Sequence, residues 1–351
     1  MNNEMKPWLC MASVKDLEQF AKKEQIPAYR AGQIENWISK KLTSNPADMK
    51  NIPNELREKL AGAFRCAELT TEEVFSSPDG LKKLLLKLSD GETIECAIIP
   101  ADDGRFTFCL STQVGCPVHC AFCSSGAGGF VRNLEDGEIV EQFFAACAVI
   151  GRLPDNVVIM GIGEPLLNCD NLISALERIC DPDRIALAAR RVTISTSGWT
   201  PGIKQLAKHG RQWNLAVSLH APDDKTRSLL IPTRFRRDIK EILQACALHR
   251  AATTRMLTFE YVMLENVNDS VEQAAKLGEL AKAAHAKVNL IPYNKANGAF
   301  SRPAPDVIKR FENRLKTVGV QVTVRVEKGS QTTGACGQLR ASAAKKQQKG
   351  A

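Results

Sequence analysis

From Leu81 to Val324 the sequence alternates repeatedly between two apolar periods, and few architectures accept that alternation. Short apolar runs at 82–88, 95–100 and 105–111 come first. They are followed by Val157-Val158-Ile159-Met160, Val192-Thr193-Ile194-Ser195, Leu215-Ala216-Val217-Ser218, Leu257-Thr258-Phe259-Glu260-Tyr261-Val262, Val288-Asn289-Leu290-Ile291 and Val320-Gln321-Val322-Thr323-Val324. Each reads as a strand. Windows near 136–150, 170–180, 238–250, 269–284 and 305–317 place apolar residues three and four apart and read as helices. Near-continuous apolar strands separated by such helices imply a parallel sheet covered on both faces. About six βα units predict an α/β fold of the barrel kind, open or closed.

The segment before this pattern is different. Val14-Lys15-Asp16-Leu17-Glu18-Gln19-Phe20-Ala21 and Gly32-Gln33-Ile34-Glu35-Asn36-Trp37-Ile38 have helical spacing, Ser13 stands at an N-cap position, and Pro27, Pro46 and Pro53 cut residues 14–70 into short helices. The expected organisation is a helical accessory domain over 1–80, a barrel over 81–340 and a basic tail over 341–351. A chain of 351 residues has room for that division. The longest apolar run, near Phe143 to Ile150, is far short of a membrane span, and the start has no signal-peptide core. Twelve cysteines in this length do not form a secreted disulfide framework and fit a reducing cytoplasm. The net charge of +8, concentrated at Arg234-Phe235-Arg236-Arg237 and at Lys345, Lys346 and Lys349, allows an anionic partner, though solvated surface is its ordinary reading.

Three cysteines carry the chemistry. Cys116, Cys120 and Cys123 are spaced C-x3-C-x2-C and run into Ser124-Ser125-Gly126. An electron-transfer cluster takes four cysteine ligands. Three thiolates hold three irons of a four-iron cluster and leave the fourth open to a substrate. The rival reading is structural zinc, with His119 or a distant cysteine as fourth ligand, but zinc sites usually show a second ligand pair and none is present.

In α/β folds ligands sit at the carboxyl ends of the strands. The residues there are unusually chemical: the cysteine loop, Gly161-Ile162-Gly163-Glu164-Pro165, Ser195-Thr196-Ser197-Gly198, Ser218-Leu219-His220-Ala221 and Pro292-Tyr293-Asn294. Singly, each has a plain explanation as a turn, a helix cap or a core histidine. In order, at successive strand ends behind a three-cysteine motif, they read as one cosubstrate pocket.

Here the residues resemble a known family. C-x3-C-x2-C on a βα barrel with a Gly-Glu-Pro strand end is similar to the radical S-adenosylmethionine (SAM) enzymes. Cys109-Leu110-Ser111-Thr112-Gln113-Val114-Gly115-Cys116, Gly129-Phe130-Val131-Arg132-Asn133-Leu134, Gly137-Glu138-Ile139-Val140-Glu141-Gln142, Gly334-Ala335-Cys336-Gly337-Gln338-Leu339 and Arg30-Ala31-Gly32-Gln33-Ile34 narrow this to the RlmN/Cfr RNA methyltransferases, nearer the RlmN branch. The likeness runs from about residue 14 to 340.

The resemblance implies a partial parallel (β/α)6 radical SAM barrel that methylates carbon 2 of an adenine in 23S ribosomal RNA (peptidyl-transferase region) and in tRNA. That carbon is electron-poor and cannot attack a methyl donor as an amine would, so the hard chemistry falls to a cofactor. By the same resemblance Cys116, Cys120 and Cys123 hold one 4Fe-4S cluster, whose open iron binds SAM. Gly163 and Glu164 receive the SAM amino group, and Ser195, Ser218, Leu219, His220 and Asn294 contact the rest. Two SAM molecules are consumed per turnover. One methylates Cys336; the other yields a deoxyadenosyl radical that takes a hydrogen from that S-methyl group. The carbon adds to adenine, Glu95 removes the ring proton, and Cys109 attacks Cys336 to release product and leave a disulfide. An electron donor such as flavodoxin, a monomeric state and a cytoplasmic location go with this reading. Arg30, Trp37, Lys40 and Lys41 are expected to help hold RNA.

Without the resemblance Cys109 and Cys336 are small buried hydrophobes, as Cys10, Cys66, Cys96, Cys147, Cys169, Cys180 and Cys246 are read here, and Glu95 is a surface strand residue. The chain departs from the family before Cys336, where Gly329-Ser330-Gln331-Thr332-Thr333-Gly334-Ala335 replaces the usual Gly-x-Asp-Ile-x-Ala-Ala. The alternatives are a carbon-8 adenine methyltransferase of the Cfr type, a radical SAM enzyme with a small-molecule substrate, and a zinc-bound RNA-binding protein.

Overall fold

The computed structural model describes residues 6–126, 128–294 and 300–325. Three short helices come first: α1 (Val14–Lys23), α2 (Tyr29–Ser39) and α3 (Asn54–Ala63). Ser13 caps α1 as expected. Its side chain accepts from the Asp16 N–H at 3.1 Å, and the Asp16 carboxylate accepts from the Ser13 N–H at 2.8 Å, a reciprocal box that satisfies two otherwise orphaned donors.

Four strands follow: β1 (Thr70–Ser76), β2 (Lys82–Lys87), β3 (Thr93–Pro100) and β4 (Phe106–Cys109). Next comes a small hairpin of β5 (Gln113–Gly115) and β6 (Phe130–Asn133). The chain then alternates through α4 (Asp136–Ile150), β7 (Asn156–Ile159), α5 (Cys169–Cys180), β8 (Val192–Thr196), α6 (Thr200–His209) and β9 (Asn214–Ser218). It continues through α7 (Asp224–Leu230), α8 (Ile239–Thr253), β10 (Leu257–Met263), α9 (Val271–Ala284), β11 (Ala286–Pro292), α10 (Pro305–Thr317) and β12 (Val322–Val324).

Among the described residues the main sheet runs in the order β1-β2-β3-β4-β7-β8-β9-β10-β11-β12. The pairings from β1 to β4 are antiparallel and those from β4 to β12 are parallel. Six βα units beginning at β4 and ending in β12 make the partial (β/α)6 barrel, with β1 and β12 at its two edges. Strand β10 is buried along its whole length, as a parallel strand covered on both faces must be.

The helical segment does not extend to residue 80. Thr70–Ser76 falls inside the expected 1–80 accessory unit, yet it pairs residue by residue with β2 and extends the sheet. Nor does the helical segment stand apart, since one hydrophobic core runs from Leu9, Leu17, Ile34 and Leu60 into the barrel helices. Helix α4 is the docking surface. Trp8 donates to the Glu135 carboxylate at 2.8 Å, and Arg65 binds the same carboxylate at 2.6 Å while lying 3.8 Å over the Trp8 ring. A Cβ at Gly137 would stand 2.2 Å from that ring, so only glycine allows the contact. The 341–351 tail, including Lys345, Lys346 and Lys349, lies outside the described residues.

One buried charge sits at this junction. Glu141 on α4 accepts from Ser44 Oγ at 2.8 Å and from the Leu69 N–H at 3.0 Å, and burial pushes its carboxyl up to about 7. Below the ordinary carboxylate value of 4.5 the group is protonated in both folded and unfolded chains. As pH rises from there towards 7 the unfolded chain gives up its proton first, so stability falls across that window and is level above it. Glu141→Gln can keep both contacts through its amide. Its melting temperature relative to the parent protein should therefore rise between pH 4.5 and 7 by roughly 3 °C or more. Thermal melts of the two proteins at matched pH check this; parallel pH profiles would contradict it.

Candidate active site

The cysteine loop leaves the barrel just after β4 and is tied back by polar groups that the sequence buries. Ser111 is the centre. Its N–H donates to Gln142 Oε1 at 2.9 Å and its carbonyl accepts from Gln142 Nε2 at 2.7 Å. Its hydroxyl donates to the Glu95 carbonyl at 2.6 Å and accepts from the Ile162 N–H at 2.8 Å. One residue thus joins the ends of β3, β4 and β7 to α4. Two residues on, the Gln113 side chain accepts from the Glu164 N–H and donates to Asn133 Oδ1, both at 2.8 Å. Gly163 lies between these contacts at φ +115°, and a Cβ there would stand 2.8 Å from Gln113 Cβ. Backbone of this kind at a strand end is open to glycine almost alone.

The strand ends converge on a cavity of about 440 Å³. Cys116, Cys120 and Cys123 line it together with Cys109, Gly163 and Glu164. So do Ser195, Ser218, His220 and Asn294, four of the residues expected to contact a cosubstrate. Leu219 does not line it: its side chain is packed in the core and its N–H donates to the Glu260 carbonyl at 3.1 Å, which leaves backbone alone for a ligand. Glu95 corrects the surface reading. It is fully buried and its carboxylate meets Lys83 Nζ at 3.0 Å, both side chains about 1% exposed. Cys336 lies outside the described residues.

Burial sets the charge states around the cavity. Burial pushes the Cys116 thiol up to about 12 and raises Cys120 well above its ordinary value. A thiolate is the ligand form, so iron entering this loop displaces protons. His220 has φ +59° and a ring buried beside Phe122, with centroids 4.7 Å apart. Burial, then the charge of Arg227, drops its titration to about 3. Its Nδ1 accepts from the Val262 N–H at 3.0 Å; a neutral ring with Nδ1 accepting carries its proton on Nε2 and is a donor there. Glu164 is raised by burial, while the Ser197 N–H at 2.7 Å and the Leu166 N–H at 3.1 Å hold its oxygens in place. That carboxylate acts as a brace between β7 and β8.

The residues present fit a cluster with a bound cosubstrate. Three thiols face one cavity, and among the described residues no group of three His, Cys, Asp or Glu gathers closely enough to hold a single metal ion. Cluster thiolates each bind a different iron, so they do not need to converge on one point. His119, the suggested fourth zinc ligand, is exposed and its Nδ1 is engaged with the Gly126 carbonyl at 2.9 Å. Asn294 Oδ1 is buried at the cavity wall without a hydrogen-bond partner, a vacancy that a polar ligand satisfies. Sequence reasoning missed Lys83 and Glu260. Glu260 lines the cavity, its carboxyl raised by burial and accepting from Asn289 Nδ2 at 2.7 Å; a lone carboxylate in the apolar run 257–262 was the available signal.

Of the residues expected to meet RNA, Lys40 donates to the Arg184 carbonyl at 2.6 Å. Arg30 donates to the Asn51 carbonyl at 3.1 Å, and Trp37 to Asn51 Oδ1 at 2.5 Å. These groups hold the accessory helices together and against the barrel.

Comparison with known proteins agrees with this site. Residues 110–278 match the radical SAM superfamily, which binds a 4Fe-4S cluster and SAM, and residues 9–65 match the ribosomal RNA large subunit methyltransferase N-terminal domain. The chain is thus a radical SAM enzyme. It is 39% identical over 330 residues to the dual-specificity RNA methyltransferase RlmN of Syntrophotalea carbinolica, covering 93% of this chain and 88% of that one. It is 43% identical over 321 residues to the RlmN of Desulfosudis oleivorans, covering 90% and 86%. The crystal structure of a radical SAM methyltransferase from Sphaerobacter thermophilus superposes with a TM-score of 0.90 at 39% identity, over 95% of this chain and 99% of the other. The chain belongs to the RlmN family.

Replacing Gly163 by Ala forces a side chain into a left-handed position already filled by Gln113. Strain of that size costs about 1–3 kcal/mol, so SAM affinity should fall roughly ten- to hundredfold with iron content unchanged. Equilibrium binding of SAM to the reconstituted variant measures this, and wild-type affinity would contradict the role of the loop.

Proposed function

We propose that this chain is an RNA methyltransferase that places a methyl group on carbon 2 of an adenosine in 23S ribosomal RNA and in tRNA, with Cys336 as the methyl carrier. The observation that carries the reading is the meeting of Cys109 with the three cluster cysteines in one cavity, ringed by the strand-end loops after β7, β8, β9 and β11. A cluster alone needs no fourth thiol there. The RNA target is supported by relatives named dual-specificity RNA methyltransferases and by the match of residues 9–65.

Cys116, Cys120 and Cys123 would hold the cluster, and Gly163, Glu164, Ser195, Ser218, His220 and Asn294, with the backbone of Leu219, would seat SAM. When bound, the cluster supplies the single electron that cleaves SAM and so makes a one-carbon radical available to an unreactive ring carbon. The protein's own part is to hold and release. Cys336 carries the carbon to the adenine. Glu95 takes the ring proton, and Cys109 displaces Cys336 from the methylated product, joining the two sulfurs. One SAM is spent on Cys336 and a second on radical formation. The reading includes a monomer in the cytoplasm, reduced by a flavodoxin-type donor; among the described residues no helix is long and apolar enough to cross a membrane.

The tryptic peptide Gly329 to Arg340 from protein purified without oxygen tests the carrier. An added methyl or methylene on Cys336 is expected. An unmodified thiol in cluster-loaded protein incubated with SAM would leave a radical SAM enzyme with a different substrate. Cys336→Ala should abolish adenine methylation, and digestion of the RNA to nucleosides separates carbon-2 from carbon-8 product by retention time.

A further inference from the structure

Lys83, buried against Glu95, has no place in the mechanism above, and the sheet register shows what it can do. Lys83 pairs with Ala97 and Ala97 with Cys109, so these three stand in one row across β2, β3 and β4. Glu95 lies two residues from Ala97 and therefore on the same face. That face is the cavity side, since Ala97, Ile99 and Cys109 all line the cavity, whereas Cys96 and Ile98 on the other face belong to the core. Glu95 thus shares the cavity-facing side of β3, one pleat from the row that holds Cys109, although neither it nor Lys83 lines the cavity itself.

We propose that Lys83 is the positioning residue for Glu95: its ammonium holds the carboxylate as an anion in a dry wall, aimed in one direction for proton removal from the substrate carbon. The inference rests on the reading of Glu95 as the proton acceptor.

Three observations support it. A carboxylate buried to this degree needs a cation to offset the loss of water, and Lys83 Nζ is 3.0 Å from its oxygen. Lys83 is itself held, with Nζ 5.1 Å from the centre of the Phe75 ring, and Phe75 is its register partner on β1. The backbone at Glu95 is fixed as well, through the Ser111 hydroxyl on its carbonyl. A purely structural pair would leave unexplained why it lies on the side of the sheet that carries Ala97, Ile99 and Cys109 rather than on the apolar side with Cys96 and Ile98.

The chemistry balances as a proton transfer. The ring C–H bond breaks, the proton moves to a Glu95 oxygen, and the electron pair of that bond stays with the ring; Lys83 remains an ammonium throughout. If the carboxylate is displaced, the proton stays on the ring and the carbon remains bonded to Cys336. RNA then stays covalently attached to the protein.

The experiment uses the cluster-loaded enzyme, SAM and an unmodified 23S ribosomal RNA transcript, and follows deoxyadenosine, methylated adenine and RNA-linked protein on a denaturing gel. Lys83→Met should lower methylated adenine roughly 10²-fold, the loss expected for a misplaced reacting group. Deoxyadenosine should still form and RNA-linked protein should accumulate, a combination that general misfolding does not produce. Lys83→Arg should recover product and remove the linked species. Lys83→Met combined with Glu95→Gln should be no worse than Glu95→Gln alone. Additive losses in the double variant, or unchanged product in Lys83→Met, would overturn the proposal. Loss of deoxyadenosine together with product in Lys83→Met, not recovered by Arg, would assign Lys83 to folding alone and also overturn it; Lys83→Gln, which keeps a donor and removes the charge, repeats the test if the Met variant does not fold. Glu95→Gln with wild-type product and no linked RNA would sink the base reading itself, and with it this one.

Discussion

Everything at the site hangs on the way Ser111 is held. It is the residue that follows β4 by two positions, and its amide, carbonyl and hydroxyl are all spent on neighbours: Gln142 of α4, the backbone of β3 and the backbone just past β7. Four buried hydrogen bonds on one small residue leave it little freedom, because each group released into this interior would lose its only partner. The cysteine loop begins five residues later. Its position is therefore inherited from the sheet and from α4 before any iron is present.

The electrostatics around the cavity follow from the same dryness. Burial holds His220 neutral, raises Glu164 and Glu260, and pushes the Cys116 and Cys120 thiols toward their protonated forms. Arg227 balances part of this from behind the cluster loop, where it donates to the Ser197 carbonyl and carries a lowered titration of about 10. A zwitterionic cosubstrate would therefore need direct polar partners among these groups, because the dry wall around them solvates charge poorly.

Much of the fold was legible because strand burial dictates composition. The apolar runs at 157–160, 192–195, 215–218 and 257–262 emerged as β7 to β10 with ends shifted by a residue or so. What the pattern hid has physical reasons. Strand β1 (Thr70–Ser76) is an edge strand with an exposed outer face, so its sequence lacks the apolar run that marks a central strand. Helix α6 (Thr200–His209) was not among the expected helical windows; it opens at Thr200-Pro201, where a proline in the first turn removes no bond. That Cys116, Cys120 and Cys123 meet Gly163, Ser195, Ser218, His220 and Asn294 in one cavity was legible from motif spacing and strand-end order. The burial of Glu95 was not: a carboxylate in a strand looks exposed until its cation is found, and Lys83 is twelve residues away on a different strand. Leu219 was included with its neighbours, but side chains alternate at a strand end, and alternation turns it into the core.

Helix α4 ends up with two clients. Glu135, Gly137 and Glu141 receive the accessory helices, and Gln142, one residue further on, clasps Ser111. The first sixty or so residues are consequently no detachable module. Their removal would leave α4 with an uncovered apolar stripe and a carboxylate stripped of its partners, one peptide unit from the clasp that sets the cysteine loop. A shift of the accessory helices on α4 would thereby reach the cysteine loop through Gln142 and Ser111, so the two ends of the chain are mechanically joined.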